Sequence, residues 1–286
     1  MDRILPLPVG RPAVRLQNAR IKYTSGFASG ATVMHGGGDR YALDEARRDL
    51  SACLRAAAAL GLHEGVCNHF SYAPSAASVG GRDDLFLVNP LGLAFAEVTP
   101  DRLLLCAANG EVIEGEGVPE ATAFFIHARL HARLPRARAA FHTHMPNATA
   151  LACLDGPPLL FAVQSSLRFF GRVAVDRDYN GLALDRAEGD RIAAAAGNAG
   201  VLFLQNHGVL VLAPSIAEAW DDLYYLERAA EAELKAAASG RLVKPVAPAV
   251  AARVAADIAA SQPAAAELHL ASVRRRLATG ERADSP

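Results

Sequence analysis

Apolar and polar positions along this chain switch repeatedly between helical and strand periods. From Tyr41 to about Leu62 the stretch LDEARRDLSACLRAAAALGL repeats its apolar residues every three to four positions, which predicts an amphipathic helix stopped by Gly61. Short strands are predicted next at HFSYAP and LFLVNP, then a hairpin LLLCAANGEVIEG turned on Asn109–Gly110. A second helix is predicted over PEATAFFIHARLHARL, with Pro119 in its first position and Glu120 beside it. The strand AAFHTH and a helix from NATALACL follow, then strand and turn at FGRVAVDRDY and a third long helix at ALDRAEGDRIAAAAG. VLFLQNHGVLVLA reads as two apolar strands joined at Asn206–His207–Gly208, and SIAEAWDDLYYLERAAEAELKAAASG as a long closing helix.

Mixed elements with hairpins predict an α/β domain whose sheet is mixed or largely antiparallel and covered by helices. Residues 1–40, rich in Gly and Pro, read as an extended N-terminal arm; 41–245 form the domain; 246–286 read as a peripheral C-terminal helix and polar tail. No internal repeat is found.

The 286 residues carry a formal net charge of −1, so no electrostatic footprint for nucleic acid or an acidic membrane is expected. Cys53, Cys67, Cys106 and Cys153 form no CxxC pair, which points to a reducing compartment and no disulfide framework. The first residues have neither signal-peptide nor anchor character, and no apolar run is long enough for a bilayer. A cytoplasmic protein acting on a small molecule is the expectation.

The chemistry concentrates in histidines. In AAFHTH the strand period of two puts His142 and His144 on one face at the strand's end, which suits two imidazoles on one cation. His207, in a turn that ordinarily takes Asn, Asp or Gly, completes a candidate three-imidazole set, presented at some conformational cost. His127 and His131 share a helix face without an HExxH motif; His127 is expected to pack or support ligands, His131 to lie at the surface. His69, in NHFS, is a candidate substrate contact. GxSxG, Walker and dinucleotide-binding patterns are absent.

HTHMPNATAL followed by NHGVLVLAPSIAEAWDDLYYLE, with EGVCNHFSYAP and FLVNPLGLAFAEVTPDRLLLCAANGEVIEGEG upstream, resembles the class II aldolase/adducin superfamily over roughly residues 45–235. The resemblance implies a single three-layer α/β/α domain around a largely antiparallel sheet, and a homotetramer or homodimer. By matching position it implies His142, His144 and His207 as metal ligands; Asn68, His69, Ser71, Asn89 and Gly92 are the candidate substrate-binding residues. The divalent metal implied is zinc first, with manganese, cobalt or iron also accepting imidazole.

The departures from the family pattern carry information. The acid/base Glu of its sugar-phosphate aldolases is replaced by Ala123, its serine pair is missing, and its GNxS loop reads Asn68–His69–Phe70–Ser71. A phosphorylated sugar is therefore not expected, and the chain falls nearer the adducin-like bacterial branch. Glu120, Glu64 and Tyr224 are the candidate replacements for the lost proton-transfer group. The reading is a metal-dependent carbon–carbon lyase, decarboxylase or aldolase, acting on a small non-phosphorylated hydroxy- or oxo-acid through a metal-stabilised enolate. The alternatives are a non-catalytic adducin-like assembly protein and an iron-dependent oxygenase on the same three histidines.

Overall fold

A computed structural model describes residues 37–279, and the elements of this stretch form three layers. The middle layer is one eight-stranded sheet: β1 (His69–Tyr72), β2 (Leu85–Val88), β3 (Leu104–Ala107), β4 (Val112–Glu114), β5 (Ala139–Thr143), β6 (Val173–Asp176), β7 (Val201–Leu204) and β8 (Gly208–Ala213). Their spatial order is β4-β3-β2-β1-β5-β8-β7-β6. Every neighbouring pair is antiparallel except β6 and β7, which run parallel. The chain regains direction between those two through a helix, as a parallel pair requires.

Seven helices cover the sheet: α1 (Gly37–Ala59), α2 (Ala121–Arg133), α3 (Pro146–Ala152), α4 (Gln164–Leu167), α5 (Arg186–Ala196), α6 (Ile216–Ala238) and α7 (Pro248–Ala278). Alternation along β5 shows how the faces divide. Ala139 and Phe141 join the larger core cluster with residues of α1, α3, α6 and α7, while Ala140 joins the cluster under α2 and α5. Phe70 stacks on Phe141, its partner across the β1–β5 ladder, with ring centroids 4.0 Å apart. His69 and His142, one residue further along, therefore sit together on the α2 face. No helix among the described residues is long and apolar enough to cross a membrane.

The three-layer architecture matches expectation, with local corrections. Helix α2 starts at Ala121, not Pro119, because Glu120 is extended (φ −64°, ψ 144°) and its carboxylate accepts the Ala123 amide as an N-cap. The hairpin forms on Asn109–Gly110, where Gly110 adopts φ 95°. The short α4 went unpredicted. Most of the expected arm lies outside the described residues, and 37–40 belong to α1. Helix α7 does more than border the domain: Ala266, Leu270 and Val273 are buried in the main core.

Candidate metal centre

β5 and β8, adjacent in the middle of the sheet, build the site. His142 is the penultimate residue of β5, His144 follows its last, and His207 ends the turn into β8. The three rings make a nearly equilateral set, with centroids 5.0, 4.8 and 4.9 Å apart. One ligand atom from each lies within 4.8 Å of the others. The close approach depends on Gly208. A Cβ there would stand 2.6 Å from the Thr143 carbonyl oxygen and 2.8 Å from His144 Cδ2. The conformational cost expected at His207 falls instead on Asn206, which takes φ 59° in place of its neighbour. Asn tolerates this left-handed region better than most residues.

Hydrogen bonds fix the ring tautomers. His142 Nδ1 donates to the Val209 carbonyl at 3.0 Å, and His144 Nδ1 donates to Glu64 Oε2 at 2.7 Å. Both Nε2 atoms are then bare lone pairs, yet they face each other at 3.2 Å. Two bare acceptors repel unless a cation lies between them. Tetrahedral zinc with its usual nitrogen distances would space two imidazole nitrogens about 3.3 Å apart, so the donor set fits such an ion. Burial and neighbouring rings hold His142 well below the ordinary imidazole range, and burial pushes His207 down to about 4. Neutral imidazole is the form that ligates.

The other expected site residues divide by what they touch. Glu64 supports His144 directly. Asn68, 1% exposed, accepts the Glu64 and His144 amides on Oδ1 at 2.7 and 3.3 Å, tying the loop before β1 to the end of β5. Asn89 clips β1 from behind, accepting the Phe70 amide and donating to the Asn68 carbonyl. Gly92 lies in the turn after β2 with φ 84°. His69 and Ser71 are buried against α2, where they meet His127. His131 is not a surface group, since its Nε2 contacts Ser71 Oγ at 2.7 Å and burial lowers it to about 4. Glu120 uses Oε2 for Ala123 N and Thr122 Oγ1. Tyr224 is not brought to the triad within the chain; its ring stands edge-on to Tyr225 and His269 in the α6–α7 layer.

A pocket opens beside His144 and His207. The loop between β6 and α5 supplies Asp178, Tyr179 and Asn180; Thr122 and Gln205 complete its polar wall. Arg191 also lines it, but its guanidinium is engaged by Asp176 and by both oxygens of Glu188. Little in the sequence marks this wall. Its only signal was the turn-forming Asn180–Gly181 after an apolar run, which marks a loop and no destination.

Residues 48–234 match the family model described as "Class II Aldolase and Adducin N-terminal domain". A candidate aldolase class 2 protein of Caulobacter vibrioides is 33% identical over 198 residues, covering 69% of this chain and 74% of that protein. Among solved structures, an aldolase II superfamily protein from Pseudomonas syringae superposes with TM-score 0.76 at 28% identity, covering 85% of this chain and 96% of that one. An L-fuculose 1-phosphate aldolase from Glaciozyma antarctica superposes with TM-score 0.75 at 25% identity, covering 88% and 96%.

Proposed function

The chain belongs to the class II aldolase and adducin family, and from that premise we propose that it is a metal-dependent carbon–carbon lyase acting on a small, non-phosphorylated hydroxy- or oxo-acid. The observation that carries the reading is the pair of bare Nε2 atoms of His142 and His144 facing each other at 3.2 Å with His207 beside them. His142, His144 and His207 hold the divalent ion, zinc by preference for three nitrogen donors. When bound, it supplies an electron sink for charge developing next to a carbonyl.

The protein's own residues do the rest. Glu64 keeps the His144 ring in its Nδ1–H tautomer, and the Val209 carbonyl does the same for His142. The pocket wall favours a hydroxylated, uncharged tail: Asn180, Gln205, Thr122 and Tyr179 offer neutral hydrogen-bonding groups, and Asp178 repels a phosphate. Arg191, the one cation among the described pocket residues, is neutralised by two carboxylates. Glu120 caps α2 beside the pocket wall, its Oε2 accepting from Ala123 N–H and the Thr122 hydroxyl, and Thr122 links it to the pocket as the candidate proton-transfer group. The enzyme acts in the cytoplasm as a homo-oligomer, a tetramer or a dimer.

Metal analysis by mass spectrometry tests this, on untagged protein beside the double variant His142→Ala, His207→Ala. About one equivalent in the wild type, lost in the variant, is expected. Iron with oxygen consumption would replace the lyase by an oxygenase. No metal after incubation with zinc, manganese or iron would favour an adducin-like assembly role. With metal established, CO2 release from 2-oxo-acids against aldehyde release from hydroxy-acids separates decarboxylation from aldol cleavage.

A further inference from the structure

Behind the triad runs a buried chain of side chains that metal binding does not use. The Ala137 carbonyl lies 3.0 Å from His131 Nδ1, and His131 Nε2 lies 2.7 Å from Ser71 Oγ. Ser71 Oγ contacts His127 Nδ1, and His127 Nε2 lies 2.7 Å from His69 Nδ1. His69 then stands beside His142, ring centroids 4.8 Å apart. Ser71 and His127 are fully buried and His69 is 2% exposed.

Only one proton arrangement satisfies every link. A carbonyl cannot donate, so His131 carries its proton on Nδ1 and offers a lone pair at Nε2. Ser71 must donate to that lone pair, which leaves its oxygen to accept from His127 Nδ1–H. His127 Nε2 is then an acceptor, and His69 must donate to it from Nδ1. Ser71 could instead turn its proton to the Ala140 carbonyl, but that contact is 3.5 Å and would require His131 to hold two protons. Burial opposes such a cation, as it does at His127 and His69.

We infer that the Ala137 carbonyl, His131, Ser71, His127 and His69 form a one-way hydrogen-bond relay that locks His69 as its Nδ1–H tautomer, making its Nε2 an acceptor, beside the ligand set, for a hydroxyl or water. His69 Nε2 is the one nitrogen of the relay without a protein partner among the described residues. His127, Ser71 and His131 are positioning residues that act through it. The relay rests on the metal-centre reading only for what stands next to His69.

Neutron diffraction from deuterium-exchanged crystals of the full chain reads the relay directly. Deuterium is expected on Nδ1 of His69, His127 and His131, with none on His69 Nε2 and a solvent donor directed at that atom. In His131→Phe the anchor is gone and Ser71 Oγ–H is free to turn to the Ala140 carbonyl or to His127 Nδ1, so the His69 tautomer is no longer held and deuterium is expected in part on His69 Nε2. Ser71→Thr keeps the hydroxyl and the wild-type order. Deuterium on His69 Nε2 in the wild type overturns the inference. The wild-type map decides alone if the variant does not fold. Because hydrogen positions are read without reference to metal content, the relay and the metal centre fail separately.

Discussion

A carboxylate on the rim sets the proton of one histidine of the cluster. Glu64 is mostly exposed, yet it fixes the proton of His144. Glu64→Ala is expected to weaken metal binding about 10- to 100-fold, read by titration against a coloured chelator, with secondary structure intact. At Gly208 the cause is space rather than charge. The methyl of Gly208→Ala has to displace the Thr143 carbonyl or the His144 ring, so metal binding is lost while circular dichroism changes little. Acid acts through the buried imidazoles. His127 and His131 titrate in the unfolded chain near 6.5 but well below it, at about 4 for His131, when folded. The unfolded state therefore binds more protons between these values, and stability falls as pH drops from about 6.5 towards 4. A thermal melt of metal-free protein should show the midpoint falling by several degrees across that window. His142, His144 and His207 were legible because a period of two and one turn suffice to place them. The relay was not: Ser71 and His131 lie 60 residues apart and meet only after α2 docks. The same gap hid the contact of Glu64, a candidate proton-transfer group, with His144 Nδ1.

Two helices over the α2 face approach closely because one residue lacks a side chain. A Cβ on Gly189 of α5 would stand 2.3 Å from the Phe125 carbonyl oxygen of α2. Gly189→Ala must separate the helices, at a cost of about 1–3 kcal/mol, measured as a lowered midpoint in urea. Arg129 and Arg133 of α2 clamp Asp190 of α5 beside this contact, so the pair resists sliding. Element types were legible from periodicity, since the apolar stripes of α1, α5 and α6 and the paired runs of β7 and β8 are long. Starts were less so. Pro119 looks like a first helical residue until the Glu120 carboxylate caps the Ala123 amide, a choice made by one hydrogen bond that periodicity does not register.

Across the whole chain, α7 is fastened by a buried ionic cluster. Asp222, fully buried, binds Arg172 and Gln262, while Asp221 binds Arg168 and His269. Asp222→Ala leaves two arginines without their shared acceptor and is expected to cost about 3–5 kcal/mol, with residues 248–278 becoming the first segment cut in limited proteolysis. Nothing in an Ala-rich segment with Pro263 in its midst announces that docking, because its partners lie far away in the chain, on α1, on α6 and at Arg172. The three layers themselves followed from alternating elements and the family resemblance. β6 is an edge strand and pairs parallel to β7, so the loop leaving it and the turn that carries His207 emerge at the same end. The three histidines hang at the ends of central strands that cannot change without loss of the sheet, whereas residues 177–185 hang on its margin. That margin can be rewritten without loss of the sheet, so the same three-histidine cluster can be made to face a different small molecule by trading a single loop.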